Sequence, residues 1–161
     1  MIILGIDPGL ASTGFGAINC SSLSPSLLKC GSIKTFPGMH ISNRLLQIYT
    51  DMSQLIKTIE PNVIAIENAF SLARYPKAGI ILGGVLGIIY LLVSQNRIKM
   101  VEITPKEVKN ALVGYGSANK KQVSVTIQKI LRIGEIKSFH ASDALAIAIT
   151  AFYRESSLRL K

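Results

Sequence analysis

Tryptophan is absent, and the two cysteines, Cys20 and Cys30, are too few for a disulfide framework and lack the spacing of a thiolate metal site. A reducing cytoplasm is the compartment this predicts. Acidic residues are scarce: 9 Asp and Glu face 18 Lys and Arg, a formal charge of +9. That imbalance calls for a polyanionic partner, either nucleic acid or an anionic membrane surface. No basic segment precedes the opening apolar run and Asp7 interrupts it early, so no signal peptide is expected. The stretch from Ala78 to Val93 carries no charge, yet it is shorter than the roughly 20 residues a bilayer needs, and the expectation is a buried helix with no membrane role. Internal repeats, low-complexity segments and composition breaks are also missing, which predicts a single domain over residues 1–161.

What is present is a regular return of apolar segments, 48% hydrophobic residues in a chain long enough to bury one substantial core. Ile2 to Ile6 is a continuous apolar run ended by Asp7-Pro8-Gly9, the pattern of a central strand covered on both faces and closed by a turn. Thr13 to Ile18 and Leu27 to Thr35 read as further strands around the Ser/Pro-rich turn 21–26, an antiparallel meander in which Gly14 and Gly16 weaken the second strand. Leu45, Tyr49, Met52, Ile56 and Ile59 recur at helical spacing before Pro61. Val63 to Ile66 is a fourth strand, parallel to the first if a helix crosses over between them. A helix over Arg74 to Gln95 has Gly79, Gly83 and Gly87 on one face, open to use as core or as a dimer interface. Ile98 to Ile103 is a fifth strand. Thr104 with Glu107, and Asn119 with Gln122, are capping patterns that start two helices, and a last helix covers Ser138 to Arg154. The order βββαβαβααα is that of an α/β fold.

Asp7 and Glu67 both follow apolar strands at the carboxyl edge of the inferred sheet, where open α/β sheets place their ligand sites. His140 and Asp143 lie three residues apart near the start of the last helix. Acids crowded beside apolar walls repel one another and lose hydration, and they stay ionised when a cation neutralises them; Mg²⁺ suits such oxygen donors. Two ions about 3.5–4 Å apart activate a water and stabilise the leaving oxygen of a phosphodiester, with Asp7 as the natural bridge. Taken singly, each residue also has an ordinary structural reading: a turn at Asp7, surface groups or helix caps at Glu67 and Asp143. His140 sits at a helix start, where a cation is disfavoured, and this tilts it towards a neutral, ligating imidazole.

The segments Ile6-Asp7-Pro8-Gly9, Thr13-Gly14-Phe15-Gly16, Ile66-Glu67-Asn68-Ala69-Phe70, Val113-Gly114-Tyr115-Gly116-Ser117-Ala118 and Ala141-Ser142-Asp143-Ala144-Leu145-Ala146-Ile147-Ala148, in that order, resemble the RuvC resolvase family nearly end to end. The resemblance implies a ribonuclease H-like fold with a five-stranded mixed sheet flanked by helices, and a homodimer making paired symmetric nicks across Holliday junctions in DNA recombination and repair. It implies Asp7, Glu67, His140 and Asp143 as catalytic and metal-binding residues, with two Mg²⁺ per site and Mn²⁺ able to substitute. Many members have Asp where this chain has His140, and imidazole suits Mn²⁺ well enough to leave the choice of metal open. Phe70 matches an aromatic that stacks on unpaired bases, a contact worth about 1–3 kcal/mol. Lys109 and Lys120 match lysines near the scissile phosphate, and the helix around Gly83 corresponds to the segment that pairs subunits; Arg74, Lys77, Lys106 and Lys121, in the same loops and helix starts, are candidates for additional phosphate contacts, with solvated surface as the alternative. Branch-migration proteins of the RuvA/RuvB type are the implied partners.

Three other readings compete. A junction-binding protein without cleavage would keep the basic surface and the dimer while His140 disables the chemistry. A ribonuclease H-like nuclease of other specificity, such as the YqgF type acting on RNA, would share the carboxylates without junction preference. A sugar-kinase or actin-like ATPase fragment would use residues 7–16 as a phosphate hairpin, but the chain is too short for that two-domain cleft.

Overall fold

A computed structural model describes residues 1–21, 24–68 and 76–159. Five strands form one sheet in the order β3-β2-β1-β4-β5, from β1 (Ile2–Asp7), β2 (Ser12–Asn19), β3 (Ser26–Lys34), β4 (Val63–Glu67) and β5 (Lys99–Ile103). β1 to β3 are an antiparallel meander, whereas β4 and β5 run parallel to β1, as strands returning through helical crossovers must. The helices are α1 (Ile41–Ile59), α2 (Pro76–Gln95), α3 (Pro105–Val113), α4 (Lys120–Leu131) and α5 (Phe139–Arg159).

Strand alternation divides the apolar side chains between the two faces of the sheet. Ile3, Ile18, Val63, Ala65 and Val101 face α3, α4 and α5, whereas Leu4, Ile6, Ala17, Ile64 and Ile66 face α1 and α2. Both capping boxes form. The Thr104 hydroxyl accepts from the Glu107 N–H while the Glu107 carboxylate accepts from the Thr104 N–H, and Asn119 and Gln122 do the same for α4.

The glycines expected to weaken β2 do not interrupt it, because they are where a helix crosses the sheet. A Cβ at Gly5 would overlap the Ala144 carbonyl oxygen, and one at Gly14 would overlap the His140 carbonyl oxygen. Hydrogen atoms in place of side chains let α5 lie directly on β1 and β2.

The expectation of a buried second helix is corrected. Val85, Ile89, Leu92 and Val93 pack against α1 and the sheet, but Ile80 is 77% exposed and Leu91 51%. By length and composition the window Ala78–Gln95, with a mean hydropathy of 2.0, is long and apolar enough to cross a membrane, and 22% of it is buried. A helix that is apolar all round has no periodicity to mark which face the core takes; here the core takes one. Among the described residues nothing lies within 4 Å of a Cβ built at Gly83 or Gly87, so at these two positions the glycine face is open rather than core.

Candidate active site

Parallel pairing of β1 with β4 sets Ile6 opposite Ile66, so Asp7 and Glu67 leave adjacent strands at the same sheet edge. The chain then turns sharply on either side of them. After Asp7, the buried Thr13 hydroxyl donates to the Gly9 carbonyl at 2.7 Å and the Thr35 hydroxyl donates to the Leu10 carbonyl at 2.6 Å, fixing the turn that follows the acid. After Glu67, the Asn68 N–H donates to the Ile103 carbonyl at 2.9 Å and its side-chain amide donates to Glu102 at 3.0 Å. Glu102 also accepts from the Tyr90 hydroxyl at 3.1 Å, which links α2 to the strand end beside the site. Thr13 and Asn68 stand in the motifs that carry the family resemblance, and sequence reasoning gave them no role; Glu102 and Tyr90 carry no signal in the sequence at all.

α5 supplies the other half. Ser138 precedes it, its hydroxyl accepting from the Ala141 N–H at 3.3 Å, and the helix start delivers His140 and Asp143 over the sheet edge. His140 Nδ1 lies 2.7 Å from Asp7 Oδ2. Asp143 Oδ2 accepts from Lys120 Nζ at 2.7 Å, the ammonium arriving from the first turn of α4. Glu67, Asp143, Lys109 and Lys120 line a pocket of about 110 Å³. The structure therefore brings together all four predicted site residues and two of the predicted lysines. Lys106 is exposed on the first turn of α3, its side chain beside Gly116 of the following loop, and Lys121 is exposed on α4 and does not line that pocket. Phe70 and Arg74 lie outside the described residues, and Lys77 is described by its backbone alone.

The electrostatics are those of acids held together against their repulsion. Burial raises the Asp7 carboxyl above its ordinary range; the His140 hydrogen bond opposes this and the Asp143 charge adds to it. Glu67 is raised by burial first, then by the charges of Asp7 and Asp143, with Lys120 opposing. Lys120 is correspondingly raised, chiefly by its hydrogen bond to Asp143.

Among the described residues, no three His, Cys, Asp or Glu side chains are gathered tightly enough to hold a metal ion as they are placed. The donor set nevertheless fits a hard divalent cation. Three carboxylates share one cleft, two with raised pKa values, and the side chains that bond them are those of Lys120 and His140 at the rim, 75% and 49% exposed.

A meander continued by two parallel strands, with acids on β1, β4 and a helix laid across the sheet, defines a nuclease of the ribonuclease H-like class. The family model for the crossover junction endodeoxyribonuclease RuvC matches residues 3–151. A crossover junction endodeoxyribonuclease RuvC from Natranaerobius thermophilus is 37% identical over 150 residues, covering 92% of each chain. One from Endomicrobium trichonymphae is 42% identical over 151 residues, 92% of this chain and 79% of its own. Thermus thermophilus RuvC, solved in complex with Holliday junction substrate, superposes with a TM-score of 0.91 at 29% identity, covering 98% of this chain and 96% of that one. The chain belongs to the RuvC family of crossover junction endodeoxyribonucleases, enzymes that are divalent-metal-dependent.

Proposed function

We propose that this chain resolves four-way DNA junctions by metal-dependent phosphodiester hydrolysis at Asp7, Glu67, His140 and Asp143, working as a homodimer that places paired symmetric nicks. The observation that carries the reading is the cleft itself: Asp7 and Glu67, destabilised as anions by burial and by the neighbouring Asp143, beside a pocket lined by Lys109 and Lys120. The carboxylates of Asp7, Glu67 and Asp143, with His140 at the rim, would hold two Mg²⁺, with Mn²⁺ as a substitute. Such ions supply an activated water and charge neutralisation at the departing oxygen.

The chain's own residues set up the rest. Lys120 bonds Asp143 when no other cation offsets that acid, and it is free to turn to a phosphate once one does, because its side chain is 75% exposed. Lys109 lines the same pocket. Lys106 and Lys121, outside the pocket, hold the flanking backbone, and Phe70, Arg74 and Lys77 complete the contact surface. The bond from His140 to Asp7 keeps the imidazole over the acid edge.

The dimer is supported by α2. Its exposed face carries Ile80, Ile81, Tyr90 and Leu91, with close approach open at Gly83 and Gly87, and a second copy laid on it would bury that apolar area. One core on each face of a single sheet supports one domain over residues 1–161. A cytoplasmic setting with branch-migration proteins of the RuvA/RuvB type completes the proposal.

Incubating a labelled four-way junction with the protein and either Mg²⁺ or Mn²⁺, alongside Asp7→Asn and a linear duplex, tests it. Symmetric nicks confined to the junction and lost in Asp7→Asn are expected. Tight junction binding without metal-dependent nicking would reduce the protein to a binding module.

A further inference from the structure

A groove of about 670 Å³ runs between α4 and the first turn of α5. Lys121, Val125 and Gln128 line one wall, and Lys137 and Phe139 the other. Lys120 and Asp143 border both this groove and the acid pocket, so the two are continuous. Phe139 is the first residue of α5, next to His140, and at 81% it is the most exposed large apolar side chain among the described residues. A phenyl ring kept in water forgoes the free energy of burial.

The composition of the groove selects its occupant. Three ammonium groups, on Lys120, Lys121 and Lys137, face two carboxylates, on Glu135 and Asp143, and one of those carboxylates is already paired with Lys120. An excess of ammonium beside an exposed aromatic ring suits an extended nucleic-acid strand, whose phosphates take the lysines and whose bases take the ring. An apolar protein segment would strand the lysines.

We propose that Phe139 is a base-stacking residue, and that the groove carries the DNA strand running on from the scissile phosphate, with a splayed base on the Phe139 ring and its phosphates on Lys121 and Lys137. This rests on the junction-nicking reading and adds to it a path for the strand on the α4 side of the acids.

The test uses junctions carrying the fluorescent base 2-aminopurine at each position flanking the cut, bound without divalent metal and then nicked with Mg²⁺. With the wild type, fluorescence is quenched by stacking at one of these positions. Phe139→Ala loses the quench and slows nicking roughly 5- to 150-fold, the loss of one stacked base, and Phe139→Trp restores both. Because the ring is exposed, the Tm of Phe139→Ala stays at the wild-type value. Lys137→Ala weakens binding on every sequence and reduces the salt slope of log affinity by about one. If the wild type nicks and Phe139→Ala nicks equally fast with the same fluorescence, the stacking proposal is overturned and the nuclease reading stands. A change in dimer mass in Phe139→Ala with fluorescence unaltered would assign the ring to a protein contact and overturn it equally. A wild type that neither binds nor nicks the junction sinks both readings.

Discussion

Glu67 shows how a single residue in this protein is held against its own stability. Its carboxyl is raised by burial and by the charges of Asp7 and Asp143. The folded chain therefore binds that proton more tightly than the unfolded chain does. The stabilisation this gives is present below the ordinary value of 4.5 and is lost as the pH rises through the raised value. At pH 7 the ionised side chain works against folding. Glu67→Gln is expected to raise the Tm of the metal-free protein at pH 7, by about 2–4 °C for each kcal/mol relieved, with the gain shrinking towards pH 4, and to abolish nicking. Mg²⁺ should raise the Tm of the wild type more than that of the variant, because the ion binds the folded acids. A thermal scan in which Glu67→Gln is less stable at pH 7 would contradict this account. Asp7 and Glu67 stand out in the sequence because each ends an apolar strand, and Asp143 because it lies near the start of the last helix. Their partners were not: the bond from His140 to Asp7 spans 133 residues and the one from Lys120 to Asp143 spans 23, and only the sheet and the helix crossing over it make them neighbours.

At the scale of elements, strands and helix starts were readable because they depend on local signals. Apolar runs gave the five strands, and Thr104 with Glu107 and Asn119 with Gln122 gave the starts of α3 and α4. The last helix is longer than its pattern suggested, reaching Arg159 where Arg154 was expected. What local pattern could not convey is which element lies above a residue. Gly14 and Gly16 read as weak strand formers because a glycine's role in a strand is set by what approaches it, and here that is α5. Gly5→Ala is the direct test. Its methyl group would meet the Ala144 carbonyl oxygen and lie 2.8 Å from the Ala148 nitrogen, so α5 must lift. Overpacking of this kind costs typically about 1–3 kcal/mol, and a fall in Tm with a loss of nicking out of proportion to it is expected, since His140 and Asp143 ride on that helix. An alanine at position 5 with wild-type Tm and activity would show that α5 yields freely.

For the molecule as a whole, α2 marks the limit of reading one chain. The absence of periodicity in an apolar helix leaves open whether its second face meets its own core or another copy. On the proposed dimer, Ile80→Lys, placed on the exposed face, should leave the fold intact and shift the particle to the monomer mass in sedimentation. The monomer should nick one strand of a junction and lose the coupling of the second nick to the first. A dimer that persists with lysine at position 80 would move the subunit contact off this face. The path from α2 to the acids is short: Tyr90 on α2 bonds Glu102, Glu102 bonds Asn68, and Asn68 follows Glu67.

The seating of α5 on Gly5 and Gly14 also bears on how this chain can vary over time. Substitution at an exposed lysine such as Lys106 leaves the packing of the fold in place. Positions 5 and 14 have no such latitude, because the smallest addition, one methyl group, collides with the backbone of the helix that carries His140 and Asp143. A library screened only for loss of junction cutting should return changes at these two glycines alongside changes at Asp7 and Asp143, although neither glycine has a side chain with which to touch DNA.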